Sequence, residues 1–184
     1  MKKLLLFVCL SITSIAFNQN KTTIKLTDSD WDRVIKLSAQ PLDFNLIELE
    51  FIQLLNEYRN QLNLTSLSFD PELKKATDFH VNYMTIHDTI SHKQPDLEYA
   101  NYYDRIRNLT NVLSKPGISG ECLSQTDPVT AYILNKSVAA FILYVWQTSP
   151  GHNKIITRNT ATKLSISINR VGKNSWMYVC LLVN

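Results

Sequence analysis

The chain of 184 residues is sparing with several residue types: four glycines, six prolines, four histidines and three cysteines. So little glycine and proline excludes collagen-like or low-complexity material, and a hydrophobic share of 45% excludes a disordered tail. Also missing is any run of Lys and Arg interleaved with aromatics; with a net charge of only +3, no nucleic-acid partner is expected. No apolar stretch reaches the roughly 20 residues of a membrane span. What remains is a globular protein, long enough for one well-cored domain and short for two.

The one uninterrupted apolar run, Leu4 to Leu10, follows Lys2 and Lys3 and precedes Ser14-Ile15-Ala16. A positive start, a short apolar core and small residues before a cut read as a secretory signal peptide over residues 1–16. Cleavage after Ala16 removes two lysines and no acids, leaving 17 basic residues against 16 acidic ones. The apparent basicity belongs mostly to the targeting segment. The expected location is secreted or periplasmic, with no membrane span after cleavage. Cys9 leaves with the signal, so Cys122 and Cys180 remain in a compartment that permits a disulfide. A single pair fits a bridge and two small buried hydrophobes equally well. Asn20, Asn63, Asn108 and Asn135 open Asn-x-Ser/Thr sequons.

Residues 17–44 are polar and mixed, with a short amphipathic stretch from Asp30 to Leu37 closed by Pro41, and read as a leader. The domain spans 45–184. Asn45 and Glu48 form a capping pair, and Phe51, Leu54, Leu55, Tyr58 and Leu62 recur at helical spacing, predicting a helix over 46–62. Asp70-Pro71-Glu72 starts a second helix reaching about Thr89, with Leu73, Ala76, His80, Tyr83, Met84 and His87 inward. Tyr99, Tyr102, Tyr103 and Ile106 share a short stripe, as packing or as the wall of a ligand groove. Lys115-Pro116-Gly117 breaks the chain. Lys136 to Gln147 forms a further helix, ended by Ser149-Pro150-Gly151. The period then becomes two: Leu164, Ile166 and Ile168 alternate with polar residues, and 176–182 is apolar on both faces and therefore central. A turn at Val171-Gly172-Lys173-Asn174 joins the two strands as a hairpin. Helices followed by an antiparallel hairpin give an α+β layered domain.

Four histidines keep the search for chemistry small. His80 and His87, seven residues apart, stand roughly 10.5 Å apart along one helix face, too far to share a metal, and read as core residues. His92 and His152 fall on loops beyond helices, where a rigid element can aim a side chain without burying it. Glu121 follows Gly117 and Gly120, and Gly151 directly precedes His152.

In order, Asn56-Glu57-Tyr58-Arg59, Phe69-Asp70-Pro71-Glu72-Leu73, Ser91-His92, Arg105-Ile106, Gly120-Glu121, Trp146 and Ser149-Pro150-Gly151-His152 precede the strand hairpin. Over residues 46–183 this resembles the CAP superfamily of cysteine-rich secretory, antigen 5 and pathogenesis-related 1 proteins, in its bacterial SCP-domain form. The resemblance implies a PR-1-like α-β-α sandwich, helices flanking a small antiparallel sheet, with a central cleft of two histidines and acids. His92 and His152 match the histidines and Glu121 matches the first acid. Two positions depart: Ser149 stands where fuller sites carry Glu, and Cys122 replaces the usual Asn.

A His-Glu-His set has the ligand types for Zn²⁺ with an open fourth position. Without metal, the same groups form a hydrogen-bonded network. Cys122 is a poor nucleophile candidate, because within a strand it points away from the Glu121 face. The resemblance implies a secreted binding module for a lipid, peptide or wall component. The alternative is a metal-dependent hydrolase or peptidase using the His-Glu-His cleft.

Overall fold

The computed structural model describes residues 41–112, 120–126, 128–133, 136–170 and 177–184. The expected signal peptide, the expected leader up to Gln40, the Lys115-Pro116-Gly117 break, the Val171–Asn174 turn and the sequons at Asn20 and Asn135 lie outside the described residues. In chain order the elements are α1 (Phe44–Gln61), β1 (Ser68–Phe69), α2 (Pro71–Ile86), a 3-10 turn (Leu97–Tyr99), α3 (Tyr102–Leu109), β2 (Gly120–Thr126), α4 (Pro128–Ile133), α5 (Val138–Thr148), α6 (Pro150–Ile156), β3 (Lys163–Arg170) and β4 (Met177–Val183). Among the described residues no helix is long and apolar enough to cross a membrane.

The strands form one mixed sheet in the order β1-β3-β4-β2, antiparallel except for the parallel β1–β3 pair. β4 lies between β3 and β2, and all seven of its residues are buried, as its two apolar faces require. Because neighbours along a strand alternate faces, one face presents Cys122, Leu164, Ile166, Ile168, Val179, Leu181 and Val183 to Phe51 and Leu55 of α1, Ile142 and Trp146 of α5 and Ile156 of α6. The other presents Leu123, Tyr178, Cys180 and Leu182 to Val81, Met84, Leu73 and Ala76 of α2 and Ile106 of α3. Helices therefore cover both faces of the sheet, in an α-β-α sandwich.

The polar side of β3 does not face water. Ser165 and Ser167 are buried beneath α2, where both hydroxyls meet Thr77 Oγ1, at 2.9 and 2.7 Å. The rim of β3 beyond two-residue β1 is closed by side chains. The Glu48 carboxylate accepts from the Ile168 N–H at 3.0 Å, and Lys74 Nζ donates to the Ile166 carbonyl at 3.0 Å while pairing with Glu48 at 2.9 Å. Unpaired ladder groups on an edge strand invite a second strand, and this ion pair satisfies two of them.

Glu48 is thus spent on the sheet, and Asn45 is not the cap. Asp43 caps α1, its side chain accepting from the Leu46 N–H at 3.1 Å. Asp70 caps α2 as its sequence predicts, with Pro71 in the first turn, and Lys163 Nζ anchors its carboxylate at 2.6 Å. α2 ends at Ile86, one turn early, so His87 is exposed and corrects the expectation of a second core histidine. Ser149-Pro150-Gly151 ends α5 and also begins a helix. A residue before proline is driven to extended backbone, and Pro suits a first helical turn. Ser149 accordingly serves as C-cap of α5 and N-cap of α6, so His152 lies in the first turn of a helix and not on a loop.

Candidate functional site

His92 and Glu121 meet at the free edge of β2. Glu121 projects from the α2 side of the strand and is almost wholly buried. His92 Nδ1 lies 2.8 Å from its Oε1, and Arg105 Nη2 lies 2.5 Å from its Oε2. Both carboxylate oxygens are engaged by positive or donating groups. Burial alone pushes the Glu121 carboxyl up; the hydrogen bond from His92 and the Arg105 charge outweigh it and hold the group below the usual carboxylate range. Arg105 also donates to the Tyr99 carbonyl at 3.2 Å, and His92 keeps 57% of its side chain exposed.

A core histidine holds the loop that carries His92. His80 is fully buried: its Nε2 lies 2.8 Å from the Ser91 carbonyl, and Gln94 Nε2 lies 2.7 Å from its Nδ1. The carbonyl requires Nε2–H as donor, and Nδ1 then accepts from the Gln94 amide. Burial pulls the His80 pKa down to about 4, consistent with this neutral form. Upstream, Asp88 adopts a left-handed backbone at φ 46° and accepts a short hydrogen bond from Tyr178 Oη, tying the loop to β4. His80 is the core residue that its place in the helix predicts, and through Ser91 it also fixes the position of His92.

His152 approaches from the other side of the sheet edge. α6 is clamped by the Asn56–Arg59 segment of α1. Tyr58 Oη donates to Asn153 Oδ1 at 3.0 Å, and the fully buried Arg59 guanidinium donates to the Ile156 and Arg158 carbonyls at 2.8 and 3.2 Å. Arg59 thus satisfies carbonyls that the end of α6 leaves unpaired. Gly120 lets α6 come close, since a Cβ there would stand 2.8 Å from Ile155 Cγ2. The half-buried His152 ring sits 6.2 Å from Trp146 between centroids, its buried Nδ1 has no hydrogen-bond partner among the described residues, and burial, with the His92 charge, lowers its pKa.

The residues do not fit a zinc ion. Among the described residues no three His, Cys, Asp or Glu side chains are placed to hold one. Glu121 is also committed to a guanidinium, whose charge opposes a cation. Nor do Cys122 and Cys180 form a disulfide. Cys122 stands opposite Leu181 and Cys180 opposite Leu123, so the two thiols point to opposite sheet faces and both are free and buried. Cys122 Sγ lies 3.8 Å from the His152 carbonyl, and burial pushes its pKa up, which suits a packed thiol and not a nucleophile. Tyr99 packs on Phe79 at 4.7 Å and Tyr102 on Tyr103 at 4.1 Å. Sequence reasoning passed over Arg105 as a site residue, although the Arg105-Ile106 pair was itself the signal.

Three comparisons bear on this arrangement. An outer surface protein from Borrelia burgdorferi is similar in fold, with TM-score 0.62 and 18% identity over 79% of this chain and 97% of its own. An extracellular SCP-domain protein from Bacillus anthracis gives 0.59 and 21%, and a cysteine-rich secretory protein from Staphylococcus aureus 0.52 and 12%. This chain covers 79% of its own length and 45% of the Bacillus protein, and 78% of its own length and 40% of the Staphylococcus protein. A search of curated proteins finds no match. The CAP model, described as the cysteine-rich secretory protein family, matches residues 52–182, from α1 to the end of β4, and the chain belongs to that family.

Proposed function

We propose that the protein works outside the cytoplasm as a binding module, taking a ligand at the β2 edge between His92 and His152. The observation that carries this reading is the state of Glu121, which is buried and bonded on both oxygens. A general base must reach the proton of a substrate, and Glu121 is almost wholly buried and held by His92 and Arg105. The metal-dependent hydrolase reading has no support in this geometry. Signal-like residues 1–16, ahead of a leader over 17–44 and a domain over 45–184, support a secreted or periplasmic setting. Its fold relatives described as outer-surface and extracellular proteins support that setting.

The test is mass spectrometry of the natively purified protein before and after organic extraction, beside incubation with a peptide panel. A co-purifying lipid, peptide or wall fragment lost in His152→Gln is the expected result. Peptide hydrolysis abolished by Glu121→Gln overturns the reading. N-terminal sequencing of the exported protein should begin at Phe17; retention of Met1 contradicts the export part.

A further inference from the structure

The outer side of α2 carries an apolar and aromatic surface that the core leaves partly uncovered. Amphipathic helices turn such residues inward, yet Phe79, Tyr83 and Ile86, spaced by four and three along one stripe, are half-buried or exposed, Ile86 by 77%. The stripe continues beyond the helix: the Tyr99 ring packs on Phe79 at 4.7 Å between centroids, and Tyr83 packs on His87 at 4.5 Å. Leu97, in the same 3-10 turn as Tyr99, is 87% exposed, more than any other large aliphatic side chain among the described residues. A single exposed leucine is ordinary; several apolar side chains beside half-exposed rings mark a contact surface. The charge beside them is mostly of one sign. From His87 to Ala100 the chain carries three acids, Asp88, Asp96 and Glu98, against Lys93 alone. Asp96 and Glu98 flank Leu97, both are exposed, and neither has an ion-pair partner among the described residues. The Glu98 charge, with burial and the Asp96 charge, raises the Tyr99 pKa, so both carboxylates act on that ring.

We propose that this face, Phe79, Tyr83, Ile86, Leu97 and Tyr99 with Asp96 and Glu98 at its edge, docks a basic, partly apolar segment of a partner protein. The inference uses none of the residues of the β2-edge reading above and stands apart from it. Apolar side chains of the partner bury Ile86 and Leu97. Its Lys or Arg heads meet the two carboxylates and the faces of Tyr99 and Phe79, since an aromatic face attracts a cation. Aromatic anchors supply much of the energy at interface centres, and complementary charge supplies the choice of partner. An anionic lipid surface would set its headgroups against the same carboxylates. A second copy docking here by two-fold symmetry would set this face against itself, acids against acids. A basic partner meets neither repulsion.

The experiment is calorimetric titration of the full exported chain with a synthetic peptide of alternating Leu and Lys and with its Leu and Glu counterpart. Vesicles of phosphatidylglycerol and of phosphatidylcholine serve as further probes, and light scattering follows self-association. The expected result is saturable binding of the Leu-Lys peptide, weakened by salt, and no binding of the Leu-Glu peptide. Ile86→Ser with Leu97→Ser should lower the affinity about tenfold, equivalent to about 1.4 kcal/mol. Asp96→Asn with Glu98→Gln should lower it likewise and flatten its salt dependence; the Asn keeps the cap that Asp96 gives the 3-10 turn. Leu46→Ser with Leu49→Ser, at exposed leucines of α1, is the control and should bind as the native chain does. Failure of the Leu-Lys peptide to bind, or an equal loss in the α1 control, overturns the proposal. Vesicle binding lost in Ile86→Ser with Leu97→Ser gives the face to a lipid surface and overturns it too. A dimer dissolved by the same pair gives the face to a second copy, with the same consequence.

Discussion

Arg105 and Glu121 form an ion pair sealed from water: Nη2 stands 2.5 Å from Oε2, and the two side chains are 0% and 1% exposed. The pair joins α3 to the start of β2 and sets what the neighbouring histidines can do. Removing one member leaves a buried charge unpaired, at a cost of about 3–5 kcal/mol. Arg105→Met should therefore lower the urea midpoint sharply, and adding Glu121→Gln should recover part of the loss. Equal stability of the single and double variants would contradict the pairing.

His80 predicts a pH dependence. Its folded pKa is about 4 against an ordinary value of 6.5, so the unfolded chain binds the proton more readily. Its contribution to stability is fully present above about pH 6.5, is lost as pH falls toward 4, and is then constant. The span is about 3 kcal/mol at most. Urea titrations between pH 7 and 4 should show this slope in the native chain and a shallower one in His80→Gln.

Two glycines should respond oppositely to alanine. Gly120→Ala drives a Cβ to within 2.8 Å of Ile155 Cγ2, and overpacking of this kind costs about 1–3 kcal/mol. Gly151→Ala meets nothing within 4 Å inside α6 and should be neutral or stabilising by up to about 1 kcal/mol. Thermal melts of the two variants check the contrast.

The clamp on α6 is a separate expectation. Arg59→Leu strands the buried Ile156 carbonyl, an unsatisfied buried group costing about 1–3 kcal/mol, and removes a donor from the Arg158 carbonyl. Hydrogen exchange should rise first in α6. Protection lost uniformly across the chain would argue against a local clamp.

Cys122 and Cys180 should both react with a thiol reagent only after denaturation, since both are buried and face opposite sides of the sheet. Fewer than two free thiols in the unfolded, unreduced exported chain would contradict the strand register.

The local signals were legible in the sequence. Asp70-Pro71-Glu72 starts a helix by chemistry contained in three residues, and the doubly apolar 176–182 segment reads as a central strand, which β4 is over Met177–Val183. Ser149-Pro150 was half legible: proline's restriction of the preceding residue ends one helix, but the same geometry begins the next. The burial of Ser165 and Ser167 was hidden, because their partner Thr77 lies some ninety residues away on a different element. Spacing alone could not join His92 to Glu121; that union came from the family pattern. Arg105 escaped notice because a buried arginine gives no periodic signal apart from its carboxylate.

The central claim is that Glu121 belongs to Arg105 and His92, so that no metal centre forms with His152. A high-resolution crystal structure of the exported chain grown with zinc, recorded at the zinc absorption edge, tests it most directly. The account predicts Arg105 on Glu121 and no anomalous peak between His92, Glu121 and His152. A peak within about 2.0–2.2 Å of those three side chains, with Glu121 turned away from Arg105, would contradict it.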